Sequence, residues 1–433
     1  MKQQKIFKQN IQEKFSKNLN KLTSDFQVKE KKFIKEMVFG ISKSRSSIIR
    51  KIAQSREESI SLEKVCERFR RHLSKKEIAK RLTENLLIKE CRKLNKDSLI
   101  IFDTSDIRKD YAEKMEGLSK IYDADKKETC SGYNILDAVS VENIGDEFSV
   151  SPLFSELHTN NEAAGSLKQA TFDRINDIQV FSGNKGIFVM DRGYDDRRVI
   201  ENLYNNDASY IIRSKAIRHL YYENTEQPFK TVAKKIKLKN KFKSGNAKMI
   251  AGITKVGIRL DPYPKKKNIN IASTYLIAAR YIQKDKYGKD CPKGFFHLYC
   301  SFPNRNMTDK EMIETALRGY RIRWKIEEVH RHIKGSYAWE DMQVMTWDRL
   351  VCLNALLLIA VSFLYSLDKY SMILASIYPH LMLDKKNKLS ILKRFIYYRI
   401  SLVVTEIFRE WKLYKKIPFK NVWADNMQMT IFC

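Results

Sequence analysis

Leu99-Ile100-Ile101-Phe102-Asp103 and Ile187-Phe188-Val189-Met190-Asp191 share one pattern, an unbroken apolar run that ends in an acid. A continuous apolar run of this length reads as a strand buried on both faces, and ligands meet such sheets at the strand ends. Both aspartates are therefore expected at the margin of an α/β core, facing solvent or ligand. Each is followed by a turn, Thr104-Ser105 and Arg192-Gly193-Tyr194. Capping that turn is the ordinary alternative for either acid taken singly.

Working outward, further β-rich runs lie at 133–141, 148–154 and 208–212, with helical periodicity at 163–180 and 197–204. Strands alternating with helices make an α/β core whose first part spans 96–214. Runs at 250–258, 269–277 and 295–301 then predict a β-rich insertion over 215–302. Between 215 and 293 there are 20 Lys and Arg against 5 Asp and Glu, including Lys265, Lys266 and Lys267. A second part of the core (303–370) and a helical C-terminal region (371–433), a candidate dimer contact, follow.

Residues 1–95 are Lys-rich and nearly free of Gly and Pro, with apolar spacing such as Phe33, Ile34, Met37, Val38, and read as a helical unit. A break at Gly40-Ile41-Ser42 between that stripe and Ile48, Ile49, Ile52 resembles a helix-turn-helix, which makes Arg45 and Arg50 candidate DNA contacts. A solvated basic face is the competing reading.

The whole chain of 433 residues carries 81 Lys and Arg against 51 Asp and Glu, a net +30. That excess repels itself without an anionic partner, which leaves nucleic acid or an acidic membrane surface. The apolar run at 350–367 is broken by Asn354 and Ser362 and falls short of the ~20 residues of a span, so a buried core helix is expected there. The polar start Met1-Lys2-Gln3-Gln4-Lys5 gives no expectation of a secretory signal or anchor. The seven cysteines lack any CxxC spacing, which points away from zinc and toward a reducing, cytoplasmic setting.

A third acid comes from a helix expected over 313–334, on which Ile322, Ile326, Val329 and Ile333 form the core stripe. Tyr320, Arg323, Glu327 and Lys334 share a polar face, while Glu328 points about 100° away from Glu327. One carboxylate between two cations suits a metal-bound phosphate, although an Arg323–Glu327 surface pair is the plainer alternative. Asp103, Asp191 and Glu327 together match the oxygen donors that two Mg²⁺ or Mn²⁺ ions require for phosphoryl transfer. His330 and His332 are expected as DNA-side or surface residues rather than ligands, and Asp106, Asp110, Asp195 and Asp196 crowd the two aspartates.

Tyr320-x2-Arg323-x3-Glu327-x6-Lys334 resembles the Tyr-Arg-Glu-Lys signature of the bacterial insertion-sequence-four transposases, in all four positions and all three spacings. Phe102-Asp103-Thr104-Ser105-Asp106 and Asp191-Arg192-Gly193-Tyr194 resemble that family's two aspartate segments, and the likeness runs from about 97 to 370. The resemblance implies a ribonuclease-H-like core interrupted by the insertion, with Asp103, Asp191 and Glu327 as the catalytic, metal-holding triad. It implies cut-and-paste movement of an insertion sequence: hydrolytic cleavage at the element's terminal inverted repeats, then attack of the freed 3′-hydroxyl on target DNA. Tyr320, Arg323 and Lys334 inherit phosphate contacts, and Arg192 stands beside the second aspartate as a DNA contact. A homodimer bringing two DNA ends together, at the bacterial nucleoid and not at a membrane, is the expected working form.

Some relatives stack a flipped base on a tryptophan; no Trp lies in 215–302, so Tyr263, Tyr275 or Phe296 would have to serve. A nuclease that cuts without strand transfer and a DNA-binding descendant without chemistry are the competing functions. A membrane-surface role would leave the acid triad without a purpose.

Overall fold

The computed structural model describes residues 2–123, 128–144, 147–159, 166–244, 247–261, 270–284, 290–383, 395–411 and 413. Five helices come first: α1 (Lys2–Leu22), α2 (Val28–Ser44), α3 (Ile49–Gln54), α4 (Leu62–Leu73) and α5 (Lys76–Cys91). Four strands follow, β1 (Leu99–Arg108), β2 (Ser119–Asp123), β3 (Glu128–Ile144) and β4 (Glu147–His158). Then come α6 (Leu167–Ser182), β5 (Ile187–Met190), α7 (Arg197–Asn205) and β6 (Ser209–Arg213).

β1, β5 and β6 run parallel side by side, β3 lies antiparallel on the other edge of β1, and β4 pairs with β3. The short β1–β5 register, Leu99↔Ile187 to Ile101↔Val189, ends two residues before Asp103 and Asp191. The apolar runs are thus the shared interior of adjacent strands. β1 runs on past Asp103, paired with β3 as far as Arg108.

The segment rich in lysine continues the same sheet. β7 (His219–Tyr222), β8 (Thr225–Pro228), α8 (Phe229–Lys235), β9 (Asn240–Ser244), β10 (Ala247–Arg259), β11 (Ile271–Lys284) and β12 (Asp290–Ser301) lead back to the core. β12 pairs antiparallel with β6, making one mixed sheet of 12 strands in the order β2-β3-β1-β5-β6-β12-β11-β10-β7-β8, with β4 on β3 and β9 on β10.

Helices cover both faces. Side chains alternate along a strand: Leu99, Ile101, Val189 and Ile211 enter one apolar cluster, and Ile100, Phe102, Phe188, Met190 and Ile212 the other. The second is closed by α6, α7 and α8. The first is closed by α9 (Asp309–Ile322), α10 (Trp324–Tyr337), α11 (Trp347–Tyr365) and the N-terminal helices, whose Phe15, Phe33, Phe39 and Phe69 belong to this cluster. After α12 (Ser371–Ile377) and α13 (Pro379–Met382), α14 (Tyr397–Arg409) packs back against α1 and α2. Phe15 meets Phe363, Phe408 and Trp411 edge-on at 5.1, 5.0 and 5.6 Å, and Lys8 pairs with Glu410 at 2.7 Å.

α11 is long and apolar enough to cross a membrane, yet 89% of its most apolar window is buried in the protein. Its polar interruption is a cross-link: Asn354 accepts from Trp339 Nε1 at 2.8 Å and donates to the Ser155 carbonyl at 3.2 Å. The helix-turn-helix expectation fails in its turn. α2 runs straight through Gly40 and ends at Arg45, in the left-handed region at φ 49. Gly40 is there for close approach, since a Cβ would stand 2.6 Å from Ile52 Cγ2 of α3.

Candidate active site

Three acids meet on one face of the sheet. Asp103 alternates with Ile101 and Asp191 with Val189, so both point toward the side covered by α10. Asp137 of β3 is the direct cross-strand partner of Asp103 and points the same way. It was not among the expected site residues. The signal for it was a lone acid inside the apolar run Ile135-Leu136-Asp137-Ala138-Val139.

Asp191 does cap its turn: its Oδ1 accepts the Gly193 N–H at 2.7 Å. Gly193 fits because a Cβ there would meet that same oxygen at 2.9 Å. Thr104 N–H donates to Asp103 Oδ1 at 3.0 Å. Both acids are thereby held by backbone at the end of the β1–β5 pair.

Glu327 arrives from above. The helix expected over 313–334 bends at Arg323, between α9 and α10, and its stripe Ile322, Ile326, Val329 and Ile333 is buried as expected. Arg323 donates through Nη1 to Asp103 Oδ2 at 3.2 Å and through Nη2 to Glu327 Oε1 at 2.5 Å. The pairing is therefore more than a surface i, i+4 contact, for one guanidinium joins an acid within β1 to a helix acid. Although burial opposes it, the charges of Asp103 and Glu327 hold the Arg323 pKa above its ordinary value. Burial also pushes Asp103 up to about 6, with Asp191 adding to it, against the lowering effects of His330, Arg323 and the Thr104 N–H. Desolvation thus outweighs what these neighbours do to favour the carboxylate.

Around this centre, Tyr320 receives a hydrogen bond from Arg213 Nη1 at 3.3 Å and stacks on Phe296 at 6.3 Å. Lys334 lies 3.1 Å from Glu340 and 3.8 Å from Asp106. Tyr194 is buried beneath the acids, and burial first, then Asp103, Asp191 and Asp137, pushes its hydroxyl pKa well up. Arg192 is exposed directly after Asp191. Of the other crowding acids, Asp195 binds Arg218 and the Lys215 N–H, Asp196 caps α7 and holds Lys168 at 2.7 Å, and Asp110 is exposed beyond the end of β1.

Both histidines are buried, contrary to expectation. His330 sits 2.7 Å from Asp137 Oδ2. His332 shares a 2.9 Å hydrogen bond with the Tyr365 hydroxyl, and burial lowers its pKa to about 3. Arg45 closes α2, where its charge acts on His332 and Tyr337, while Arg50 is exposed beside Glu63 at 3.8 Å. Tyr275 is half-buried in β11; Lys265, Lys266, Lys267 and Tyr263 lie outside the described residues.

Among the described residues no group of three His, Cys, Asp or Glu is drawn tightly enough to hold a metal ion as it stands. The arrangement nonetheless suits one. The donors are all carboxylates, and the place between Asp103 and Glu327 holds positive charge, supplied by the Arg323 guanidinium. Hard oxygen donors of this kind select Mg²⁺, Mn²⁺ or Ca²⁺ over softer metals.

Residues 94–363, well over half of the chain, match a family model described as the transposase DDE domain. No curated protein matches the chain.

Proposed function

The chain belongs to the transposase DDE-domain family, enzymes that act on DNA, and on that premise we propose that it is a cut-and-paste transposase of the insertion-sequence-four type. The observation that carries this reading is the convergence of Asp103, Asp191 and Glu327: two acids just beyond the point where the parallel β1–β5 pairing stops, and a third joined to the first through Arg323. The strand order β4-β3-β1-β5-β6, with a helix after β4 and another after β5, supports a ribonuclease-H-like core. The spacing Tyr320, Arg323, Glu327, Lys334 supports the narrower family.

DDE transposases generally use divalent metal ions, and here Asp103, Asp191 and Glu327 would hold two, Mg²⁺ or Mn²⁺. Such ions supply Lewis acidity for the attacking and leaving oxygens of an in-line displacement at phosphorus. The protein's own contribution is positioning. The Gly193 and Thr104 amides fix the two aspartates. Arg323, which bridges the two carboxylates, is placed to donate to a phosphate oxygen at the same spot. Tyr320, braced by Arg213 and Phe296, and Lys334 hold the flanking backbone.

On β9 and β10 the exposed Lys241, Lys243 and Lys248 share one face of the sheet and Lys255 stands on the other, the side of Asp103, so this segment offers basic contacts for DNA on both faces. Residues 1–95 would recognise the terminal repeats and 371–433 would contribute to a homodimer.

The test is cleavage of a labelled fragment carrying the element's own end, with Mg²⁺, Mn²⁺ or EDTA. Metal-dependent release of a 3′-hydroxyl end, followed by joining to a second DNA, is the expected result. Cleavage without joining would leave a nuclease, and tight binding without cleavage a silent descendant.

A further inference from the structure

Asp137 and His330 have no assigned part in this chemistry, yet they sit inside its frame. Asp137 is only 5% exposed and His330 8%. His330 Nε2 stands 2.7 Å from Asp137 Oδ2, but without hydrogen-bond alignment, and among the described residues neither Asp137 oxygen has a hydrogen-bond partner. A carboxyl group buried with neither oxygen satisfied is costly to keep, which gives weight to what this one faces.

The placement suggests what that use is. His330 lies on α10 three residues, about one turn, after Glu327, and Asp137 faces Asp103 across the β1–β3 ladder. The Asp137–His330 contact therefore repeats, one strand over and one turn on, the link that Arg323 makes between Asp103 and Glu327. The two links differ in exposure to demand. Arg323 is the residue a phosphate would draw away, whereas the Asp137–His330 pair is enclosed between helix and strand.

We propose that Asp137 and His330 are a positioning pair that holds α10 over the strand ends, so that Glu327 stays opposite Asp103 once Arg323 has turned to DNA. The proposal rests on the metal-dependent reading above and adds to it two residues that touch neither metal nor substrate. Its signature is a site that binds divalent cation poorly while DNA affinity is kept. Partners of this outer kind typically carry about 10- to 100-fold in metal affinity or activity.

The experiment compares full-length wild type with His330→Ala, His330→Gln, Asp137→Asn and the double variant Asp137→Asn/His330→Ala. Three quantities are read: the rise in melting temperature with added Mn²⁺ and no DNA, end-DNA affinity in EDTA, and the Mn²⁺ concentration for half-maximal cleavage. In His330→Ala the Mn²⁺ response of the melting temperature should shrink, half-maximal Mn²⁺ should rise about 10-fold or more, and DNA affinity should stay within about twofold. His330→Gln, whose amide nitrogen can reach Asp137, should recover most of the loss, and the double variant should be no worse than His330→Ala.

Unchanged Mn²⁺ response in His330→Ala overturns the pair, as does a double variant whose losses multiply. Asp137→Asn that abolishes cleavage while His330→Ala leaves the Mn²⁺ requirement unmoved also overturns it, because Asp137 would then be a ligand in its own right. Should His330→Ala fail to fold, His330→Gln against Asp137→Asn carries the same comparison. Wild-type protein that cuts without metal, or not at all, sinks the underlying reading instead.

Discussion

Two consecutive helices cover the same face of the sheet and do opposite things with it. α11 presents apolar residues all round, and every position from Cys352 to Tyr365 is buried. α10 buries His330 and His332 beside Ile326, Val329 and Ile333, and turns Glu327 and Lys334, with Arg323 just before it, toward the acids of β1. The first is anchored by dispersion and area, which ask only for volume. The second is anchored by charge pairs that a ligand of the right sign can replace. Stability and reactivity are thus separated by one short connection, whose Trp339 is bonded to Asn354 in the body of α11.

That separation can be broken most decisively from the α10 side. Asp103→Ala, Asp191→Ala and Glu327→Ala should each reduce cleavage of end DNA to background, with binding of that DNA in a gel-shift assay nearly intact and the melting temperature little moved. A variant that keeps substantial nicking removes its residue from the site.

The α11 side should show the converse. Leu357→Ala is expected to cost about 2–5 kcal/mol in urea denaturation, with cleavage per folded molecule unchanged; a selective loss of cleavage would mean that α11 is not merely structural support. Asn354→Ala should cost less, about 1–3 kcal/mol, because it leaves Trp339 Nε1 and Ser155 without their partner in the interior.

A pH experiment sharpens the contrast further. Asp103 is raised from 3.8 to about 6 by burial, so between those values the folded state binds more protons than the unfolded one. Metal-free protein should therefore lose stability as pH rises from about 4 to 6, by at most about 3 kcal/mol from this group. Asp103→Asn should flatten that slope in EDTA; an equal slope in both proteins would assign it to other groups. The smallest effect is expected at Lys334. Lys334→Ala should reduce the salt dependence of DNA binding by about one unit of slope, and an unchanged slope would return it to its pairing with Glu340.

The sequence announced both aspartates because an apolar run terminating in an acid is a local pattern, but only Asp191 ends its strand; the turn expected at Thr104-Ser105 is absent because β3 keeps pairing with β1 through Arg108. The stripe of α10 was equally plain. What was hidden depended on pairing. Asp137 joins the site only through its register opposite Asp103, and a strand's register is written in its neighbour. The basic β strands read as an insertion, yet their continuity with β6 through β12 is a long-range match that composition does not encode. Gly40 misled for a related reason: glycine marks either a break or a close approach, and only the presence of Ile52 decides between them.

The aromatic cluster around Phe15 has a consequence for how the protein is made. Lys8 and Glu410, which clasp across it, are 402 positions apart, so on the ribosome α1 is exposed long before α14 exists. Contacts of such separation close late and at an entropic cost. In the meantime Phe39 of α2 can already meet Phe15, but the side of Phe15 that Phe408 and Trp411 cover stays open, the kind of surface that chaperones bind. A protein whose activity rearranges DNA therefore completes this cluster only after translation has passed α14, and a chain cut short before α14 is released with that side of Phe15 open.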